Sequence, residues 1–228
     1  MRKPTTPSAI ALLLLALVSP AARADLRAPQ VPVSGTALAT FFASQGQAID
    51  VATQQQDVQQ FGGLDVGSPL QLTFRVHPMG GTASELAVYN AGDPGSPLFI
   101  ACPGSMAPGW YTEVSFRTSP IRMVVNLFDG NDVFQGSNTY LNVDAFAAGL
   151  AVVTPGGTHF SQDARNAGGA AHLLFFRATG SLIGSAWLAS EDQDGPSSDF
   201  ADSMFLLDSF GPVPAVRTGW GALKQRFR

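Results

Sequence analysis

The chain reads as an all-β protein, an antiparallel β-sandwich that is jelly-roll-like, preceded by one short helix. Three observations carry this. Apolar and polar residues alternate at period two through several short runs, as in strands with one wet face. Gly and Pro, 24 and 16 of 228 residues, punctuate the chain between those runs. No long helical period follows residue 47. Many short strands at this turn spacing predict a sandwich. The hydrophobic content of 45% excludes a disordered tail, and no internal apolar run reaches the roughly 18 residues of a membrane span.

In chain order, residues 1–24 have the three parts of a secretory signal peptide. They are a basic start at Arg2 and Lys3, an apolar stretch over 9–18, and an Ala22-Arg23-Ala24 end. The expected location is therefore secreted or cell surface. No lipobox cysteine follows the apolar stretch, so no lipid anchor is indicated. Residues 25–66 form an extended lead with a short helix. Ser34 stands at an N-cap position, Gly46 at C′, and Leu38, Phe41 and Phe42 recur at helical spacing. Residues 67–210 form the sandwich domain. Leu70, Leu72, Phe74 and Val76 alternate with polar neighbours. So do Thr112, Val114 and Phe116, and Ile121, Met123, Val125 and Leu127. Further strands are expected over 85–90, 97–101, 149–153, 157–161, 171–178, 182–189 and 203–208. Residues 211–228 form a basic tail in which Trp220, Leu223 and Phe227 make an apolar stripe on a turn of helix, suited to a sorting or surface component.

Charge narrows the partners. Only 13% of residues are charged, and residues 25–210 carry a net charge of −11 against +4 in the tail. An acidic body argues against nucleic acid and admits divalent cations. Cys102 is the only cysteine, so no internal disulfide forms, and it reads as a small apolar residue beside Ile100. There is no G-x-S-x-G elbow, no H-E-x-x-H and no P-loop. His77, His159 and His172 lack metal spacing. The chain is thus expected not to be an enzyme; a glycoside hydrolase using Glu85, Glu113 or Glu191 ranks last.

The segment 190–202 is the most informative. Glu191, Asp192, Asp194, Asp199 and Asp202 crowd a loop between two apolar strands, and Gly195-Pro196 bends it. Carboxylates this close repel, and a calcium ion with its 6–8 oxygen ligands relieves that. A solvated acidic turn fits the same residues. The pattern lacks the third acid and terminal Glu of an EF-hand loop.

Glu191-Asp192, the loop, Ser197-Ser198-Asp199-Phe200-Ala201-Asp202 and the apolar run Met204 to Leu207 resemble the end of a secreted bacterial family known as domain of unknown function 4114. Its members often carry a PEP-CTERM sorting tail or sit in surface adhesins. Thr158-His159-Phe160-Ser161-Gln162-Asp163, Asn166 and His172 are similar to an upstream family segment. Leu86 to Asn90, Phe99-Ile100 and Pro108-Gly109 resemble its hairpins, and the lead from Leu38 to Val58 resembles segments that precede it. The match spans most of residues 36–208. Ser197, Ala201 and Ala171 depart from the family pattern, removing up to three oxygen donors. The tail lacks the apolar span and Arg cluster of a PEP-CTERM anchor.

The resemblance implies a β-rich extracellular module without catalysis. The expected cation site is Glu191, Asp192, Asp199 and Asp202, with Asp163, Asn166 and His172 facing it from the neighbouring hairpin. The alternative is a carbohydrate- or surface-ligand-binding module in which Trp110 and Tyr111 stack on a sugar face. Trp187, in phase with Ile183, reads as core. The expected partner is a cell-surface or glycan ligand.

Overall fold

A computed structural model describes residues 25–62, 73–81, 84–118, 120–144, 146–193 and 198–209. The expected signal peptide over 1–24, the basic segment 211–228, Leu70, Leu72 and residues 194–197, Asp194 among them, lie outside them. The protein is an antiparallel two-sheet sandwich with one short α-helix. No helix among the described residues is long and apolar enough to cross a membrane.

The elements are α1 (Ala37–Ser44), β1 (Gln55–Gln56), β2 (Thr73–Gly81), β3 (Glu85–Asn90), β4 (Phe99–Cys102), β5 (Tyr111–Thr118) and β6 (Ile121–Phe128). There follow β7 (Phe134–Leu141), β8 (Ala148–Thr154), β9 (Gly157–Phe160), β10 (Leu173–Arg177), β11 (Ala186–Ser190) and β12 (Ser203–Asp208). The large sheet has eight strands in the order β1-β10-β11-β12-β2-β5-β6-β7, and the small one has four in the order β4-β3-β8-β9.

Period two explains the layers. On β2, β5 and β6 the inward residues Phe74, Val76, Val114, Phe116, Met123 and Val125 meet Leu86, Val88, Leu150 and Val152 of the small sheet. Strands β10 to β12 are apolar on both faces. Leu173, Phe175, Leu188, Phe205 and Leu207 join the inter-sheet core. Leu174, Phe176, Trp187, Ala189, Met204 and Leu206 point the other way, and α1 covers them with Leu38 and Phe42. Phe42 packs edge-on against Phe176 and Trp187, with centroids at 5.1 and 5.8 Å. The third layer is therefore the N-terminal lead, laid over one half of the large sheet.

Buried glutamines fasten that lead. Gln55, fully buried, donates from Nε2 to the Val31 and Val51 carbonyls and accepts from the Val31 N–H. Gln47 accepts from the Thr179 N–H and from the Trp187 indole. Each is a polar group whose burial is compensated by its bonds.

Three details differ from the sequence reading. The helix begins after Thr36 and not Ser34, and the Ser34 N–H ties the lead to the Ser198 carbonyl at 2.9 Å. Gly46 does take the left-handed conformation expected at C′, with φ of 68°. Trp187 is core, but Ile183 is 80% exposed; β11 starts only at Ala186, so the two share no phase. Strand β7 was not expected. Its sequence, Phe-Gln-Gly-Ser-Asn-Thr-Tyr-Leu, has no apolar alternation, since no face of it is fully buried. Cys102 is fully buried, and burial pushes its thiol up to about 12, which leaves it inert.

If α1 is an integral layer, Phe42→Ala destabilises the whole domain by about 3–5 kcal/mol in denaturant unfolding. A loss under about 1 kcal/mol would show the helix to be an appendage.

Candidate functional site

The β11–β12 ladder ends at the pair Ser190↔Ser203. The next residues outward are Glu191 and Asp202, so the antiparallel register sets these two acids side by side. Glu191 also turns back toward β10, its N–H donating to the His172 carbonyl at 2.9 Å.

Glu191 is the pivot of the loop and only 5% exposed. Its Oε1 accepts the Gln193 N–H at 3.1 Å; its Oε2 accepts those of Asp199 and Phe200 at 2.9 and 3.3 Å. Phe200 presents that N–H from a left-handed backbone, φ 54°, which costs a non-glycine residue about 1 kcal/mol. Its ring, fully buried in the cluster beneath α1, holds it there. The Asp192 N–H donates to Asp202 Oδ2 at 2.8 Å. Carboxylate oxygens of Glu191, Asp192 and Asp202 thereby lie within 4.8 Å of one another.

Burial strips water from the Glu191 carboxylate and, with a hydrogen bond to the Asp202 carboxyl, raises its pKa. Asp192 is raised by burial and by the same neighbour. Asp202 goes the other way. Burial pushes it up, but the Asp192 N–H, the hydrogen bonds from Glu191 and Asp192, and the charge of His159 together hold it below the usual range. Glu191 and Asp192 therefore hold a proton more tightly than ordinary carboxyl groups, and Asp202 less tightly.

Of the four carboxylates expected to form the cation site, the structure brings three together. Asp199 is adjacent, but its Oδ1 accepts the Ala201 N–H at 2.9 Å and shapes the loop from within. Asp163 instead pairs with Arg27 and with Gln59, fastening the lead. Asn166 accepts the Phe160 N–H and donates to the Phe160 and Ala170 carbonyls, each within 2.9 Å. Of the three residues expected to face the site from outside the loop, only His172 reaches the acidic segment, with His159 stacked on it. His172, buried, contacts the Glu191 carbonyl through Nδ1 at 2.9 Å and stacks on His159 at 4.3 Å. The spacing of the two histidines in sequence hid this, because β9 and β10 belong to different sheets.

The expected ligand aromatics separate as well. Trp110 lines an open cavity of about 620 Å³ with His77, Met79, Met106 and Phe205. Tyr111 is no exposed platform: it is 5% exposed, stacked between His77 and Phe128 at 5.1 and 5.2 Å, with its hydroxyl donated to Asp132. It belongs to a cross-strand row that ends at Phe134 on β7.

No family model, no curated protein and no solved structure matches this chain.

A raised carboxyl pKa stabilises the fold below the unfolded value, and this contribution is lost as pH rises through the folded value. Without divalent ions, the melting midpoint of the wild type should therefore fall relative to Glu191→Gln as pH rises above the ordinary glutamate value of 4.5. Midpoints that run parallel there would contradict the raised Glu191 pKa.

Proposed function

We propose that the chain is an exported, non-catalytic β-sandwich module whose acidic loop is stiffened by a divalent cation. The observation that supports this is the convergence of Glu191, Asp192 and Asp202. The donors are all oxygen, which suits a hard cation, with calcium the best match to a set of carboxylates. Both Glu191 oxygens and Asp202 Oδ2 already accept N–H bonds, yet each carboxylate oxygen has a second lone pair to offer. A cation would stabilise the fully ionised cluster, which burial and mutual repulsion disfavour. Export rests on the signal-like residues 1–24, and surface location on the similarity to domain of unknown function 4114; the basic tail would contact a sorting or surface component.

Calcium bound only by the folded chain at a hundredfold excess over Kd should stabilise it by about 3 kcal/mol. The Asp192→Asn, Asp202→Asn double variant should lose that shift and remain folded. A wild-type midpoint indifferent to calcium and to chelator would remove the cation.

A second reading, a carbohydrate- or surface-ligand-binding module, is favoured by the placement of Trp110 on the wall of the cavity. On a glycan array, wild type should bind where Trp110→Ala does not; equal signals would dismiss it.

A further inference from the structure

Two sheets have four outer edges, and three of them are covered. Strand β1 is two residues long, and the lead closes it: the Arg27 N–H donates to the Gln55 carbonyl and the Asp57 N–H to that of Asp25, at 2.9 and 2.8 Å. Strand β4 has four residues, three of them buried, and its Ala101 carbonyl accepts the Thr112 hydroxyl at 2.6 Å. Strand β9, also of four residues, has both backbone groups of Phe160 taken by the Asn166 side chain. These are the usual devices against edge-to-edge association: short strands and covering groups.

Strand β7 has none of them. It is eight residues long, carries no proline, and six of its eight residues are exposed. Among the described residues it pairs only with β6, which leaves one edge of backbone N–H and C=O groups without a strand. Such an edge is complementary to one thing, another extended backbone.

We propose that this edge pairs with β7 of a second copy of the same chain, antiparallel about a two-fold axis, so that one sheet runs through both molecules. The composition of the strand favours its own kind as partner. A strand that pairs with itself sets each side chain near the same set of side chains, and any charge would confront a like charge. The chain has 30 charged residues in 228, yet β7 has none in eight. An axis normal to the sheet at Asn138 places Ser137 opposite Thr139, two small hydroxyl residues able to hydrogen-bond across the pair. The register shift in the β6–β7 ladder turns Phe134 to the outer face beside Phe128, the face that also holds Leu141. The same axis sets Leu141 of each copy alongside Phe134 of the other. These side chains are 57% and 56% exposed, so pairing removes apolar surface from water at both ends of the seam. Because the other three edges are covered, pairing closes as a dimer and does not propagate.

The proposal is independent of the cation. The test is sedimentation of the chain without its first 24 residues, wild type against Thr139→Lys. This substitution lies on an exposed position, so the monomer keeps its melting midpoint, while the seam gains two lysines placed diagonally across the axis, each opposite Ser137 of the other copy. Wild type should sediment at twice the monomer mass and the variant at the monomer mass. Amide exchange in β7 should slow with rising concentration in wild type only. A wild type that stays monomeric, or a variant that dimerises equally well, would overturn the proposal. If Thr139→Lys lowers the melting midpoint, Thr139→Val serves as control and should fold and dimerise like wild type; a Val variant that is monomeric would also overturn it.

Discussion

The acidic end of the molecule depends on one constraint: the ladder between β11 and β12 stops at Ser190 and Ser203. One residue further, antiparallel geometry has no choice but to place Glu191 and Asp202 together. The loop between them then folds around the Glu191 carboxylate, which gathers three backbone N–H groups. A carboxylate with that many donors organises its segment as an N-cap organises a helix start. What distinguishes this site is that a second and a third carboxyl group share the space, so the local charge has to be balanced by a proton or a cation.

The rest of the fold supports that arrangement from outside. Phe200 holds its strained backbone because its ring is locked in the cluster under α1. The Ser34 N–H bonds the Ser198 carbonyl, so the lead that carries α1 is tied to the far side of the same loop. His172 braces the Glu191 backbone from β10. Helix, lead and acidic segment thus pack together on the outer face of the large sheet.

Much of this was legible from the residues and some was not. The strands over 85–90 and 203–208 coincide with β3 and β12, since their apolar character is continuous and their boundaries are marked by turn residues. Strand β7 escaped notice because periodicity reports burial, and an edge strand with neither face fully buried leaves no period. The gathering of Glu191, Asp192 and Asp202 was within reach, as all three flank one hairpin loop. The diversion of Asp163 to Arg27 and of Asn166 to the β9 edge was not, because it depends on partners more than a hundred residues away or on a local backbone path. The same holds for Gln55: a glutamine in a Gln-rich run gives no sign that it will be buried and triply bonded.

The central claim is that burial and the Asp202 carboxyl raise the pKa of Glu191, and that a cation offsets this by stabilising the ionised cluster. Carbon-detected NMR titration of Glu191, with and without calcium, tests it most directly. The account predicts a pKa above the ordinary glutamate range in chelator, falling when calcium is added, while Asp50, remote from the loop, stays below its ordinary value in both. An ordinary Glu191 titration that calcium leaves unmoved would contradict it.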